Sequence, residues 1–244
     1  MRKNTILTLF HLSVALFDAF TLWYDQNYVT VPLNDVMKER IKLVPLRGRP
    51  VFLTIWCLVI QTTYFTLAFL NDVFGTNAGT PKKPPVIRII KDTLFSLALP
   101  LALLVGMCFW GVYAYDKDVI LPENIRKALP TWMNHSMHTT IVFFIILELF
   151  LSPITYPTKI VGLSLGVTFA LSYISLLVVC YIKAGTLIYP FLDMMSVPQK
   201  IGFVTISTLI GFTFYFIGEM LNGFLNPVGR KSTGSVKEKS KKVT

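Results

Sequence analysis

The sequence predicts an all-α, polytopic membrane protein: a bundle of about six transmembrane helices over residues 1–228, followed by a basic tail at 229–244. Three observations carry this. Hydrophobic residues make up 53% of the chain and charged residues only 15%, and the mean hydropathy is +0.59. Several apolar runs approach the roughly 20 residues that a bilayer core requires. Between those runs lie polar segments with the Gly, Pro and Lys content of turns.

The first span is about Thr5 to Tyr24, preceded by Arg2 and Lys3. No small-x-small cleavage site follows it, so it reads as a span and not as a signal peptide. It contains His11 and Asp18 and is the most polar of the six. A loop with Lys38, Arg40, Lys42, Arg47 and Arg49 leads to the second span, about Val51 to Leu70. The third, about Asp92 to Tyr113, holds Pro100, where a kink is expected. The fourth, about Trp132 to Leu151, ends at a turn with Pro153 and Pro157. The fifth runs from about Ile160 to Ile182, and its Gly162, Ser164, Gly166 and Ser172 allow close helix approach. The sixth runs from about Ile201 to Leu221. Low hydrophobicity and high charge make the tail read as disordered.

The formal charge of +10 has a local origin. Arg230, Lys231, Lys237, Lys239, Lys241 and Lys242 all lie in the tail, where basic residues beside a span act as topology signals or contact anionic lipid. No stacking aromatics interleave with that charge, so no nucleic-acid partner is expected. Cys57, Cys108 and Cys180 each sit inside an apolar run without paired spacing. They indicate neither a disulfide framework nor a zinc site. Six spans put both termini on one side, and the tail tips the positive-inside balance toward cytosolic termini. The ending Lys241-Lys242-Val243-Thr244 matches a dilysine retrieval signal, which points to the endoplasmic reticulum, with the plasma membrane as the alternative.

The candidate site lies where a polar loop enters the fourth span, Pro130-Thr-Trp-Met-Asn-His-Ser-Met-His-Thr-Thr140. On an α-helix His135 and His138 are neighbours on one face, which Asn134 shares. Ionisable groups entering a membrane segment mark function more often than not. Span parity then selects a partner. The second and fourth spans start on the same side of the membrane. Thr54 lies five residues past Arg49 and His138 six past Trp132, so both lie roughly 8–9 Å below the interface. Among the acids, Asp18 alone sits at that depth. Asp92, Glu148 and Glu219 lie near the opposite end, where a network with Lys91 or Lys159 would hold the helix ends together.

A threonine hydroxyl becomes a nucleophile when a neighbouring base takes its proton, and neutral imidazole is the usual base. Asn134 has two candidate roles, holding the ring or donating to an oxyanion. At this depth such a pair faces the ester carbonyl of a lipid. The plainer readings stand beside this one. Membrane threonines ordinarily bond their own preceding turn, and His135 reads as an interfacial anchor. Two other functions also use these residues: a small or proton-coupled transporter with Asp18, His138 and Glu148 as a relay, and a metal enzyme built on His135 and His138.

At these residues the chain resembles the androgen-induced-gene-1 family, also called FAR-17a-like, which includes the androgen-dependent TFPI-regulating protein. The similarity runs from about Phe52 to Asn222. It is densest in Phe109-Trp110-x-x-Tyr113-Ala-Tyr-Asp116, Trp132-x-Asn-His-x-Met-His138-Thr-Thr140, Tyr156-Pro157-x-x-x-x-Gly162-Leu163, Tyr189-Pro190-Phe191 and Gly218-Glu219-x-Leu-Asn222. The resemblance implies a multispan threonine hydrolase that needs no metal or other cofactor. It would cleave esters of fatty acids with hydroxy fatty acids that enter from the bilayer. It also implies Thr54, in Phe52-Leu53-Thr54, as nucleophile and His138 as base. Where the family has Trp-Lys before the aromatic residue, this chain has Pro50-Val51. Asp18 has no family counterpart, so the resemblance implies a dyad and not a Thr–His–Asp triad.

Overall fold

The computed structural model describes residues 5–30, 39, 42–46, 48–79, 81–185 and 189–226. The basic tail with its dilysine ending lies outside these residues, as do Arg2, Lys3, Lys38, Arg40 and Arg47.

Among the described residues six helices are long and apolar enough to cross a membrane. They are α1 (Thr5–Tyr28), α2 (Leu53–Phe74), α3 (Val86–Tyr115), α6 (Thr131–Leu151), α7 (Lys159–Ala184) and α9 (Val197–Leu225). Short helices α4 (Lys117–Ile120) and α5 (Glu123–Ala128) fill the connection after α3, and α8 (Pro190–Asp193) lies between α7 and α9. The chain is an integral membrane protein. Five of the observed helices contain their predicted spans, and the second starts two residues late, at Leu53, because Arg49–Val51 form a 3-10 turn and Phe52 is extended; several ends run past the prediction by a turn or more. Hydropathy marks only the stretch that lipid must accept, whereas the hydrogen-bonded helix continues into the interface.

Local chemistry sets the ends. Pro84 and Pro85 precede α3, and Pro85 is its N-cap. Ser196 and Gln199 form a capping box at the start of α9, satisfying two amides that would otherwise lack acceptors. Gly185 closes α7 in the left-handed region at φ 68°, where a side chain would be strained. Ser152 and Pro153 stop α6.

Helix α3 is the hub. It packs against α2, α6, α7 and α9, while α1 packs against α2. Most of α3 is buried, whereas α7 and α9 turn most of their apolar surface outward, as helices facing lipid do. Pro100 sits inside α3. Trp23, Tyr24, Tyr28 and Trp132 cluster beside Phe20 and form an aromatic collar of the kind found at membrane–water interfaces. The collar lies at the end of the bundle where α6 begins.

The opposite end is tied together by buried ions. His11 places Nδ1 2.7 Å from Asp72 and Nε2 2.7 Å from Glu148, and Tyr64 and Ser152 donate to the same Glu148 carboxylate. Lys91 lies 3.8 Å from Glu148 and 3.4 Å from Asp92. Arg88 bonds Asp92 at 2.6 Å and the carbonyl oxygens of Thr76 and Pro153. Asp92, Glu148 and Lys91 thus form the expected network, with His11, Asp72 and Arg88 as further members. Glu219 is not in it. It pairs with Lys159 at 3.9 Å on the surface.

Candidate active site

Two local irregularities bring the candidate residues together. Arg49–Val51 form a single 3-10 turn, Phe52 is extended at φ −76° and ψ 136°, and α2 starts at Leu53. Thr54 therefore sits in the first turn of α2, where the amides have no intrahelical acceptor. In α6 the α-helix gives way to a π-helical turn over Ser136–Thr140. Such bulges are concentrated at functional sites, and this one carries His138.

Thr54 Oγ1 stands 3.3 Å from His138 Nε2. The other ring nitrogen, Nδ1, is 2.9 Å from the carbonyl oxygen of Asn134. A carbonyl can only accept, so Nδ1 carries the proton. In a neutral imidazole that leaves Nε2 with a lone pair facing the threonine hydroxyl. The helix backbone thus selects the tautomer that a base requires. Phe109 lies flat on the ring, with centroids 3.6 Å apart and planes 11° apart. On the same helix Gly106 allows α3 to approach α6 closely. A Cβ there would stand 2.6 Å from Val142 Cγ2 and 3.1 Å from the His138 carbonyl oxygen.

Asn134 and Asp18 depart from their sequence-based roles, while His135 leaves the shared face but keeps an exposed position in line with an interfacial anchor. Asn134 meets His138 through its main chain, and its side-chain Oδ1 is buried without a hydrogen bond among the described residues. His135 does not share the buried face. The widened turn rotates it out to solvent, where it stacks on Trp110 at 5.5 Å and bonds Thr139. Asp18, expected to reach His138 by depth, does not bond it. Both imidazole nitrogens have other partners, and neither oxygen of the buried Asp18 carboxyl makes a hydrogen bond among the described residues. Equal depth says nothing about rotation about the helix axis. Nor are Asp18, His138 and Glu148 bonded to one another: Glu148 is held by His11, Tyr64 and Ser152. Among the described residues no group of three or more His, Cys, Asp or Glu side chains could hold a metal.

Beside Thr54 opens a cavity of about 210 Å³. Its wall is almost wholly apolar and comes from α2, α3, α4, α7, α8 and α9. On α3 the lining runs from Ser96 to Val112, a rise of ~24 Å. Thr54 faces this space, and His138 stands behind it with Phe109 between the ring and the cavity. Tyr173 and Tyr189 bring phenol groups to the same end. Burial pushes the Tyr189 phenol up to about 12, so it keeps its proton at ordinary pH. Sequence reasoning missed Gly106, Tyr173 and the π-helical turn. The small-residue pair Ala102-x-x-x-Gly106 on α3 was an available sign of the first.

The model of the FAR-17a/AIG1-like protein family matches residues 6–223. The chain belongs to that family. Among curated FAR-17a/AIG1 relatives, the human androgen-induced gene 1 protein is 33% identical over 199 residues, covering 78% of this chain and 82% of the relative. The androgen-dependent TFPI-regulating protein of Mesocricetus auratus is 31% identical over 201 residues, covering 82% and 87%. A membrane protein of Schizosaccharomyces pombe is 24% identical over 182 residues, covering 72% and 76%. No solved structure matches the chain.

Proposed function

We propose that the protein is a membrane-embedded threonine hydrolase. Its substrates would be esters of fatty acids with hydroxy fatty acids. One observation carries the reading: the unprotonated face of His138, with the tautomer set by the Asn134 carbonyl, lies against the Thr54 hydroxyl at the wall of an apolar cavity. A hydroxyl so placed loses its proton to Nε2 as Oγ1 attacks an ester carbonyl. The tetrahedral intermediate collapses, His138 returns the proton to the departing hydroxyl, and the hydroxy fatty acid leaves. Water, deprotonated by the same nitrogen, then splits the acyl-threonine and releases the fatty acid. The cavity accepts alkyl chain along its length but offers little to a soluble, polar substrate. A lipid reaches it sideways from the bilayer. Residence in the endoplasmic reticulum belongs to the same reading and is checked by imaging a tagged chain against organelle markers.

The test is hydrolysis of a fatty acid ester of a hydroxy fatty acid by washed membranes holding the wild type, Thr54→Ala or His138→Ala. Each substitution lowers turnover by at least about a thousandfold, and the double variant is no worse than the singles, because the two groups act as a unit. Near-normal turnover by either single variant would overturn the mechanism.

A further inference from the structure

The Tyr189-Pro190-Phe191 segment, far from Thr54 in sequence, closes on the turn that leads into α2. The Leu53 amide donates to Tyr189 Oη at 2.9 Å. The two phenols, Tyr189 Oη and Tyr173 Oη, are 2.8 Å apart, and Tyr173 Oη donates to the Val51 carbonyl at 3.2 Å. The single Tyr173 proton is committed to Val51, so the proton between the phenols comes from Tyr189. The result is a directed chain running from the Leu53 N–H through Tyr189 and Tyr173 to the Val51 oxygen. It clasps the backbone on both sides of Phe52, immediately before Thr54. Aromatic contacts back it up: Tyr189 meets Phe52 edge to face at 5.4 Å, and Tyr173 meets Trp56 at 5.7 Å. Trp56 in turn donates from Nε1 to the Pro50 carbonyl at 2.9 Å.

This clasp replaces a conventional cap. Phe52 offers no side-chain acceptor to the first turn of α2, and Tyr189 supplies one from another part of the chain. No loop residue local to α2 does this, so the register of Thr54 depends on α7 and on the segment after it. The Thr54 amide itself has no acceptor among the described residues.

We propose that Tyr189 and Tyr173 are positioning residues for Thr54: their joined hydroxyls hold residues 51–53 so that Oγ1 stays on His138 and the Thr54 amide stays free to meet charge developing on the ester oxygen. The inference rests on the hydrolase reading. Neither tyrosine touches the imidazole, so neither sets the protonation of His138. A shift of about 1 Å in a reacting group costs on the order of a hundredfold in rate, and a loosened first turn falls within that range.

The experiment compares the wild type, Tyr189→Phe, Tyr173→Phe and the double variant in detergent-solubilised full-length protein. Rates are expressed per folded molecule, counted by the monodisperse peak in size-exclusion chromatography, and Thr54→Ala serves as the inactive reference. Tyr189→Phe is expected to lower kcat by about 10–100-fold, with KM within about twofold and the pH–rate profile unmoved. Tyr173→Phe loses a comparable factor, and the double variant loses no more than the worse single, because one chain of bonds is cut in each case. The proposal is overturned if kcat per folded molecule stays within twofold of wild type, if only KM changes, if the losses multiply, or if the pH profile shifts. An inactive wild type would instead refute the hydrolase reading, so the two failures are distinct.

Discussion

Phe109 covers one whole face of the His138 imidazole, the two rings 3.6 Å apart and 11° from parallel. With Nδ1 tethered to the Asn134 carbonyl, the ring can neither swing about χ2 nor tilt away from Thr54. Helix α3 owes its closeness here to Gly106, which has the His138 carbonyl directly against it. Phe109→Leu keeps an apolar group at the site but removes the flat contact. It is expected to lower kcat on the order of tenfold through loss of orientation, while protein yield stays near wild type. Ester-hydrolysis kinetics alongside thermal unfolding check this, and unchanged turnover would mean that the stack is only packing.

The cavity predicts a chain-length effect far from the chemistry. Leu97 lines it at a point ~18 Å along α3 from Phe109. Leu97→Phe shortens the far end and leaves the Thr54 end as it was. The ratio of hexadecanoyl to butanoyl ester turnover should fall on the order of tenfold, the usual yield of a filled apolar pocket. Butanoyl turnover should hold. Equal losses for both esters would mean that the acyl chain lies elsewhere.

What the sequence made legible follows the physics of each feature. The six spans stand out because bilayer insertion demands a long apolar run, a property of composition that needs no tertiary information. The approach of Thr54 to His138 was readable because parity and axial rise place two residues at one depth. Rotation about an axis is not readable in that way. Depth put Asp18 beside His138, yet the ring nitrogens are taken by Thr54 and Asn134 and Asp18 bonds neither. The π-helical turn at Ser136–Thr140 has no sequence periodicity to announce it, so α-helical spacing put His135 on the wrong face. The backbone role of Asn134 was hidden for the same reason. His11, Asp72 and Arg88 joined the ion network unannounced, since their partners are fixed only once α1, α2, α3 and α6 have packed.

That network predicts a separation of stability from activity. Glu148 is fully buried and receives His11, Tyr64 and Ser152. Glu148→Ala leaves His11 with Asp72 and Lys91 with Asp92 as their remaining acidic partners, and removing one partner from a buried ion network costs up to about 3–5 kcal/mol. Thermal unfolding of the purified variant should show a lower midpoint. Glu148 lies ten residues from His138 on one helix, ~15 Å away, so kcat per folded molecule should remain within about twofold. A large fall in kcat with an unchanged midpoint would tie this end of the bundle to the chemistry.

Asp18 gives the sharpest test of dyad against triad. Its carboxyl is buried, and neither oxygen has a hydrogen-bond partner among the described residues, an arrangement that costs stability unless something repays it. A catalytic acid would repay it by orienting the base, but both nitrogens of the His138 ring are already engaged, one by Asn134 and one by Thr54. Asp18→Leu should therefore raise stability by about 1–3 kcal/mol and leave kcat within about threefold. Orienting acids in true triads behave oppositely, with losses near 10⁴-fold on substitution. Measuring unfolding and turnover on one preparation decides the matter. Greater stability with intact turnover fits a Thr–His dyad whose ring is held by a backbone carbonyl. A collapse of turnover would mean that Asp18 reaches the site in a state of the bundle that opens for substrate.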